Sequence, residues 1–318
     1  MAYPPGLTFA NKRSIMSGKG GDAMETVQAK QLLTPLHASD EFFHSDYNLN
    51  LYRGCSHGCV YCDSRSVCYQ LDRFDQVRVK ENALSLLREE LRSKRRPGLV
   101  STGAMSDPYN PYEKEMEVTR GAFLLLKQYG FGAGFTTKSA LAARDADVLV
   151  DIQRTAPVRA CFSITCAGDG LCTKLEPNAS PTSQRFKALE ALAKAGVFAG
   201  VWLNPVLPFL TDTEENIITI VRRTKECGGQ FIVCHFDMTL RTGNREYFYQ
   251  ALDRDFPGVK AKYAEAFGLD YICPSPRAIE LEAVFRKECQ CLNLLYRFPD
   301  INQAMFIRQS RQLSMFGS

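Results

Sequence analysis

The sequence predicts an α/β fold in which a parallel sheet is covered by helices. Short apolar segments alternate with segments whose apolar residues recur at helical spacing, and this alternation runs six times through the chain. The chain has 318 residues, of which 45% are hydrophobic, so it can bury a large core. Six such units in succession make a partial or complete barrel the expected closure of the sheet, and α/β barrels of this size fold as one unit.

Six strands are predicted, each followed by a loop and a helical segment. The strands cover residues 48–52, 99–102, 132–137, 158–165, 197–203 and 230–236. Helices are predicted over 81–91, 116–129, 140–153 and 213–227, with a further helix after Glu176-Pro177 that contains Phe186, Leu189 and Ala193. In such folds the chemistry lies in the loops at the C-terminal ends of the strands.

The segments outside these units suggest three regions. Residues 1–23 contain Gly, Pro, Lys and Ser without periodicity, so we expect a flexible leader, with Met24 as a candidate for the natural start. Residues 24–240 are expected to form the barrel with an N-terminal arm. Residues 241–318 are expected to form a mainly helical C-terminal extension that packs across the open side.

Composition and charge indicate which partners and which compartment the protein can have. The formal net charge of +4 neither indicates nor excludes a nucleic-acid partner. No apolar run approaches the roughly 18 residues that span a bilayer, so no membrane partner is expected. The N-terminus lacks the apolar core of a signal peptide, and twelve cysteines in such a chain favour reduced thiols and metal binding. We therefore expect a cytoplasmic protein.

The loop after the first predicted strand carries the most specific motif. Cys55, Cys59 and Cys62 form a C-x3-C-x2-C array, so three thiols leave one short loop in almost the same direction. A cubane [4Fe–4S] cluster normally takes four thiolates, and with three of them one iron stays open to a ligand that is not protein. A closed zinc site with Cys68 as its fourth ligand is the alternative.

The cysteine array, with Tyr61 before its last cysteine, resembles the signature of the radical S-adenosylmethionine (SAM) superfamily. Several segments between about residues 45 and 240 together resemble the spore photoproduct lyase-like branch, also described as DNA repair photolyase-like. These segments are Tyr52-Arg53-Gly54-Cys55-Ser56-His57-Gly58-Cys59, Ser106-Asp107-Pro108-Tyr109, Thr136-Thr137-Lys138, Phe162-Ser163-Ile164, Glu176-Pro177 and Asn204-Pro205-Val206.

This resemblance implies a partial (βα)6 TIM-like barrel that holds a [4Fe–4S] cluster on Cys55, Cys59 and Cys62. It implies an enzyme that reductively cleaves SAM to a 5′-deoxyadenosyl radical, which abstracts hydrogen from a substrate. The substrate would be a nucleic-acid base, as in photoproduct lyases, or a peptide. An electron donor such as flavodoxin or ferredoxin would reduce the cluster.

The resemblance also assigns cofactor contacts to residues after the predicted strands. Lys138 and Ser163 would contact SAM, since an ammonium and a hydroxyl suit its carboxylate and amino ends. Ser106 and Asp107 would accept hydrogen bonds from the SAM ammonium, and Arg185 would pair with Glu176 or SAM. The expected SAM site therefore comprises Tyr61, Ser106, Asp107, Lys138, Ser163 and Arg185.

Ala104 departs from the pattern of the family. In the lyase a cysteine two residues before the Ser-Asp pair returns a hydrogen atom to the product radical, and Ala104 stands at that position. A methyl group cannot donate this hydrogen atom, so the lyase reaction in its known form is not expected. Tyr109, Tyr112 and Cys166 are candidates for the donor, and we predict catalytic roles for Tyr109 and Cys166.

The remaining cysteines and basic residues leave other possibilities open. A second metal centre would draw on Cys68, Cys273, Cys289 and Cys291. However, Leu281, Phe285 and Cys289 follow one helical face, which predicts a buried cysteine instead. Cys161, Cys227 and Cys234 are expected in the core, and His235 beside Asp237 is expected either at the cavity or in a structural role.

Two other functional classes are alternatives to a radical SAM enzyme. A zinc-stabilised nucleic-acid-binding protein would use the four cysteines 55, 59, 62 and 68, with Lys94-Arg95-Arg96 as a basic edge. A ferredoxin-like electron carrier is disfavoured, because the predicted barrel is far too large for that role.

Overall fold

A seven-stranded sheet lies at the centre of the chain in a computed structural model that describes residues 25–36 and 42–316. The strands of the described chain are β1 (Thr26–Val27), β2 (Leu33–Pro35), β3 (Tyr47–Leu49), β4 (Tyr52–Arg53), β5 (Arg78–Lys80), β6 (Leu99–Thr102), β7 (Gly132–Thr137), β8 (Val158–Ser163), β9 (Ala199–Leu203), β10 (Phe231–Cys234), β11 (Asp237–Thr239) and β12 (Ile272–Pro274). The expected leader and Met24 lie outside the described residues.

The central sheet has the order β10-β9-β8-β7-β6-β3-β2. Neighbouring strands from β3 to β10 are parallel, and β2 joins antiparallel to β3 at the edge. The six predicted strands are confirmed as β3 and β6–β10, and β6 and β7 have the predicted bounds. The α/β class with a mostly parallel sheet is therefore confirmed.

Eleven α-helices accompany these strands within the described ranges. They are α1 (Ala83–Ser93), α2 (Glu113–Met116), α3 (Val118–Gln128), α4 (Ala146–Gln153), α5 (Asp169–Leu175), α6 (Thr182–Lys194), α7 (Glu214–Glu226), α8 (Asn244–Asp255), α9 (Val259–Phe267), α10 (Ala278–Cys291) and α11 (Phe298–Phe316). No helix in this part of the chain has both the length and the apolar character needed to cross a bilayer.

Two predicted helices differ from the observed ones for local reasons. The helix predicted over 116–129 begins at Val118, because Glu117 adopts a left-handed conformation with φ of 52° that separates α2 from α3. The helix predicted over 140–153 starts as a 3-10 helix at Ala140–Asp145. Its first turn is closed tightly by Ser139, whose hydroxyl accepts from the amide of Leu141.

The strand predicted over 48–52 is divided between two sheets. β3 belongs to the central sheet, whereas β4 pairs antiparallel with β5 in a three-stranded sheet of order β1-β5-β4. The chain crosses over at Asn50 and Leu51, whose carbonyl oxygens accept from the ammonium and the amide of Lys80, respectively. This crossing places the cysteine loop, which follows β4, beside the central sheet.

The two faces of the central sheet have different covers. On one face a large apolar core includes residues of α1, α3, α4, α6 and α7, and Leu281, Phe285 and Cys289 of α10 belong to it as predicted. On the other face Cys161, Phe198 and Phe231 pack with Ile301 and Met305 of α11. The C-terminal helices therefore complete both faces. Cys161 is buried in the core as expected, whereas Cys227 and Cys234 are only partly buried and pack against the core.

Gly103 turns the chain at the end of β6. Its φ is +103°, and a Cβ at this position would lie 2.1 Å from the carbonyl oxygen of Thr136 on β7. A side chain is therefore excluded by both the backbone conformation and the close approach of β7. This turn sets the position of the segment that begins with Ala104.

Replacing Gly103 tests this constraint. Gly103→Ala should lower the free energy of unfolding by at least about 1–3 kcal/mol, because β7 must move or the turn must change. Gly170→Ala is the matched control: Gly170 lies in α5, and a Cβ there meets no atom within 4 Å. The control should be neutral or stabilising by up to about 1 kcal/mol. Urea unfolding of both variants measures the difference; equal midpoints would contradict the proposed constraint.

Candidate cluster and cofactor site

A cavity of about 330 Å³ lies at the carboxyl ends of the parallel strands. This volume is within the range of small-molecule sites. Its walls come from the cysteine loop after β4, the ends of β6–β9, and β11. Among the lining residues are Cys55, His57, Cys59, Tyr61, Cys62, Ala104, Ser106, Asp107, Lys138, Ser163, Trp202, Asn204, Asp237 and Thr239. The three cysteines and most of the predicted SAM-site residues therefore meet at one place.

Backbone hydrogen bonds fix the cysteine loop to three other segments. The amide of Cys55 donates to the carbonyl oxygen of Phe74, and the amide of Val60 donates to that of Leu175, both at 2.9 Å. The carbonyl oxygen of His57 accepts from the amide of Asn178 at 3.1 Å. The loop is thus held from both sides by backbone hydrogen bonds.

The thiols within this loop have different environments. Burial raises the pKa of Cys59 and of Cys62. Burial would also raise the pKa of Cys55, but hydrogen bonds from His57 and its nearby charge lower it below the ordinary value. The cysteine at the start of the motif is therefore the one most easily ionised.

No group of three or more His, Cys, Asp or Glu side chains in the described chain is arranged to hold a single metal ion. Zinc requires its ligands within about 2.3 Å of one centre, whereas a cubane cluster binds each thiolate through a different iron. Cys68 is exposed, does not line the cavity, and accepts a hydrogen bond from Arg241 at 3.3 Å. The four-cysteine zinc site is therefore not assembled. The three thiols on one cavity suit a cluster with three protein ligands.

The second metal centre that the sequence left open is also not brought together. Cys289 lies on the buried face of α10, and Cys273 is buried in a separate cluster with Phe248 and Tyr263. Cys68 and Cys291 are exposed. These four cysteines form no metal-binding group among the described residues.

Asp107 is the most highly connected side chain at the cavity. Its Oδ1 accepts from the Thr137 hydroxyl at 2.7 Å and from the Tyr109 amide at 2.8 Å. Its Oδ2 accepts from the Lys138 amide at 2.8 Å and lies 3.3 Å from Nδ1 of His57. Burial would raise the pKa of Asp107, but His57 and these donors lower it to about 2. Both oxygens of this predicted SAM contact are therefore engaged within the protein.

Lys138 and Ser163 lie beside each other, as their predicted joint role requires. The ammonium of Lys138 donates to the hydroxyl of Ser163 at 2.8 Å and lies 5.6 Å from the centre of the Tyr61 ring. Burial would lower the pKa of Lys138, but the nearby Cys59 and Glu176 raise it. The cavity thus contains a cation facing the cysteine loop. The hydroxyl of Ser106, by contrast, donates to the carbonyl oxygen of Gly54.

Arg185 supports the site from behind. It forms a fully buried ion pair with Glu176, and it also donates to the carbonyl oxygens of Ser163 and Ser180. Glu176 accepts in turn from the phenol of Tyr61. Of the two partners expected for Arg185, the structure therefore shows Glu176, and this pair connects β8 to the cysteine loop through Tyr61.

The two residues predicted to be catalytic do not line the cavity. Tyr109 is buried, and its ring packs against those of Phe123 and Phe135 in the core. Cys166 is buried with Cys172 in another apolar cluster. Tyr112, the third candidate, is 42% exposed. The structure thus brings none of the three to the cavity, whereas the methyl group of Ala104 does line it.

Several cavity residues were not predicted from the sequence. His57 lies between Cys55 and Cys59, and this position in the motif was the sequence signal that could have placed it at the cavity. Trp202 and Asn204 lie at the end of β9, where a sequence pattern can place them. Thr239 lies on β11, which pairs with residues more than thirty positions later in the chain, so no local pattern indicates its position. His235 lies outside the cavity lining and stacks on Phe298, whereas its neighbour Asp237 lines the cavity.

Comparison with known proteins identifies relatives, although no family model matches the chain. An uncharacterized protein of Mycobacterium tuberculosis is 31% identical over 246 residues, which cover 75% of this chain and 72% of the relative. The chain belongs to the family of this protein. An uncharacterized protein of Methanocaldococcus jannaschii shares 28% identity over 216 residues, covering 66% of this chain and 76% of its own length.

Solved structures show the fold of this family. A variant of spore photoproduct lyase superposes with a TM-score of 0.59 at 15% identity, over 80% of this chain and 76% of the lyase. The lyase complexed with a dinucleoside spore photoproduct gives a TM-score of 0.58 at 15% identity with the same coverage. The chain therefore has a radical SAM fold of the spore photoproduct lyase type, as the sequence resemblance predicted.

The buried pair behind the site gives a stability prediction. Glu176→Gln leaves Arg185 charged and buried without its counterion, so it should lower the free energy of unfolding by about 3–5 kcal/mol at pH 7. Glu280→Gln, which breaks the exposed pair with Arg277, should leave the urea midpoint unchanged. A Glu176→Gln midpoint equal to that of the control would contradict a structural role for the pair.

The same pair predicts a pH dependence. Burial would raise the pKa of Glu176, but Arg185 and Lys138 hold it well below its ordinary value. Its contribution to stability is therefore complete above the unfolded pKa of about 4.3 and is lost as the pH falls below it. Unfolding measured between pH 7 and pH 3 should show a shallower loss of stability in Glu176→Gln than in the wild type.

Proposed function

We propose that this protein is a radical SAM enzyme. The observation that carries the proposal is the meeting of Cys55, Cys59 and Cys62 with Lys138 at one cavity, in a chain with the fold of spore photoproduct lyase. When bound, a reduced [4Fe–4S] cluster and SAM supply a 5′-deoxyadenosyl radical that abstracts hydrogen from the substrate. The residues of the chain bind these groups, orient them and exclude water.

Each part of the cavity has a role in this proposal. The three cysteines would hold the cluster and would leave one iron open to SAM. The ammonium of Lys138 and the hydroxyl of Ser163 face the loop and suit the carboxylate and amino ends of SAM. Tyr61, held by Glu176, closes the wall behind Lys138. Three residues of the cavity wall are buried: Cys59, Tyr61 and Ser163, the neighbour of Lys138. Their low exposure limits the access of water to the reacting centre.

Ala104 bears on the substrate and the final step. The lyase was solved with a dinucleoside spore photoproduct, so a nucleic-acid base is the substrate class to test first, with a peptide as the other candidate. Ala104 lines the cavity, and its methyl group cannot return a hydrogen atom to a product radical. We therefore propose hydrogen abstraction by the 5′-deoxyadenosyl radical, with no return of a hydrogen atom from position 104.

The proposal includes the wider arrangement of the protein. The parallel strands would form the partial (βα)6 barrel within residues 24–240, with residues 241–318 as its extension. A flavodoxin or ferredoxin would donate the electron. All twelve cysteines are free, which suits a reducing compartment such as the cytoplasm.

Anaerobic reconstitution with iron and sulfide tests the function directly. The wild type should bind four irons and, with dithionite and SAM, release 5′-deoxyadenosine. Cys62→Ala should lose cluster and product, whereas Cys68→Ala should keep both because Cys68 lies outside the cavity. Bound iron without SAM cleavage in the wild type, or one zinc with no sulfide, would refute the proposal.

The role of Lys138 is tested by SAM affinity. Lys138→Met keeps much of the side-chain volume but removes a charge-assisted hydrogen bond worth about 1.5–3 kcal/mol, so SAM should bind at least tenfold more weakly. Lys187→Met, at an exposed position of α6, should bind SAM as the wild type does. Calorimetry on reconstituted proteins with equal iron content measures both affinities. Equal affinities would remove Lys138 from the SAM site.

A further inference from the structure

Two buried polar atoms at the end of β9 have no partner within the protein. Trp202 lies in β9, and Asn204 directly follows that strand with one residue between them. Within the described chain no group forms a hydrogen bond with Nε1 of Trp202 or with Oδ1 of Asn204, although both atoms are buried. Leaving a buried donor or acceptor unpaired is costly, and most such atoms in folded proteins have a partner. These two atoms therefore call for a ligand.

Both residues line the cavity and are fixed in place. The ring of Phe43 packs edge-on against the Trp202 indole, with the ring centres 5.6 Å apart. The carbonyl oxygen of Asn204 accepts from the hydroxyl of Ser163 at 3.3 Å. Residues two positions apart in an extended chain face the same side, about 6.6 Å from each other. A single molecule in the cavity can therefore pair with both side chains.

The wall that contains these residues is not used by the contacts proposed for SAM. Those contacts come from the cysteine loop and from the ends of β6, β7 and β8, whereas β9 lies beyond β8 in the sheet. Asp237, the first residue of β11, also lines the cavity, and its carboxylate makes this wall unsuitable for a phosphate group. The wall is therefore available to an uncharged, hydrogen-bonding part of the substrate.

The two atoms select the kind of group that can bind between them. The indole N–H only donates, and the amide oxygen of Asn204 only accepts, so the ligand must offer an acceptor beside a donor. A trans peptide unit directs its C=O and its N–H to opposite sides. A nucleobase, in contrast, presents acceptors and donors side by side along one rigid edge. The pair therefore favours a nucleobase over a peptide backbone.

We propose that Trp202 and Asn204 are specificity-determining residues that bind the edge of a nucleobase in the substrate. Nε1 of Trp202 donates to an acceptor of the base, and Oδ1 of Asn204 accepts from the neighbouring N–H. This inference rests on the proposed function and narrows its substrate class to nucleic acid. Because the pair lies inside the cavity, the base must be unpaired or turned out of a duplex to reach it.

Anaerobic equilibrium dialysis of the reconstituted protein with SAM and each of the four deoxynucleosides tests this inference. At least one deoxynucleoside should bind to the wild type. Trp202→Phe keeps an aromatic ring but removes the N–H, and Asn204→Leu keeps the approximate volume but removes the amide. Each variant should bind that nucleoside at least about fivefold more weakly, while its affinity for SAM stays unchanged.

Asn302→Leu is the matched control. The amide of Asn302 is already paired with the main chain of Phe42 and His44, and the residue lies outside the cavity lining. This variant should bind the nucleoside and SAM as the wild type does.

The possible results separate the inference from the function. A wild-type protein that cleaves SAM but binds none of the four deoxynucleosides would overturn the inference alone, as would unchanged nucleoside affinity in both variants. Weaker binding of SAM in the variants would assign the pair to the adenine of SAM and would also overturn it. Binding of N-acetylalanine methylamide, a model peptide, in place of the nucleosides would do the same. A wild-type protein that forms no [4Fe–4S] cluster would overturn the proposed function and the inference with it.

Discussion

The buried carboxylate of Asp107 connects the parts of the site that the chain brings from different strands. It follows β6, accepts hydrogen bonds from Thr137 and Lys138 at the end of β7, and holds His57 in the cysteine loop. Burying a carboxylate is costly unless its oxygens are satisfied, and here they have four polar partners. The position of the cysteine loop relative to the sheet therefore depends on this polar junction as well as on apolar packing.

The regular part of the fold could be predicted from the sequence, because each strand is a short apolar run bounded by turn residues. β6 and β7 have the bounds that their sequences predict. Pairings outside this repeat were not predictable. The crossing at Asn50 depends on Lys80, and β11 pairs with β12 across two helices. Such contacts join segments that have no common pattern in the sequence.

The candidate site shows the same division between local and tertiary information. The spacing of Cys55, Cys59 and Cys62 identified the loop. Lys138 directly follows β7 in the sequence and lines the cavity at the end of that strand, as predicted. The direction of Tyr109 was not predictable, because Asp107 accepts its amide and turns its ring towards Phe135 in the core. Every residue of β8 is buried, so no polar alternation indicates which side chains face the cavity.

The central claim is that three cysteines leave one iron of a [4Fe–4S] cluster open to SAM. Electron-nuclear double resonance of the reduced, reconstituted protein with SAM labelled by 15N in its amino group and 17O in its carboxylate tests this claim most directly. Hyperfine coupling from both nuclei to the cluster is the predicted result. A [4Fe–4S] signal that shows coupling to neither nucleus would contradict the account, because it would mean that all four irons already have other ligands.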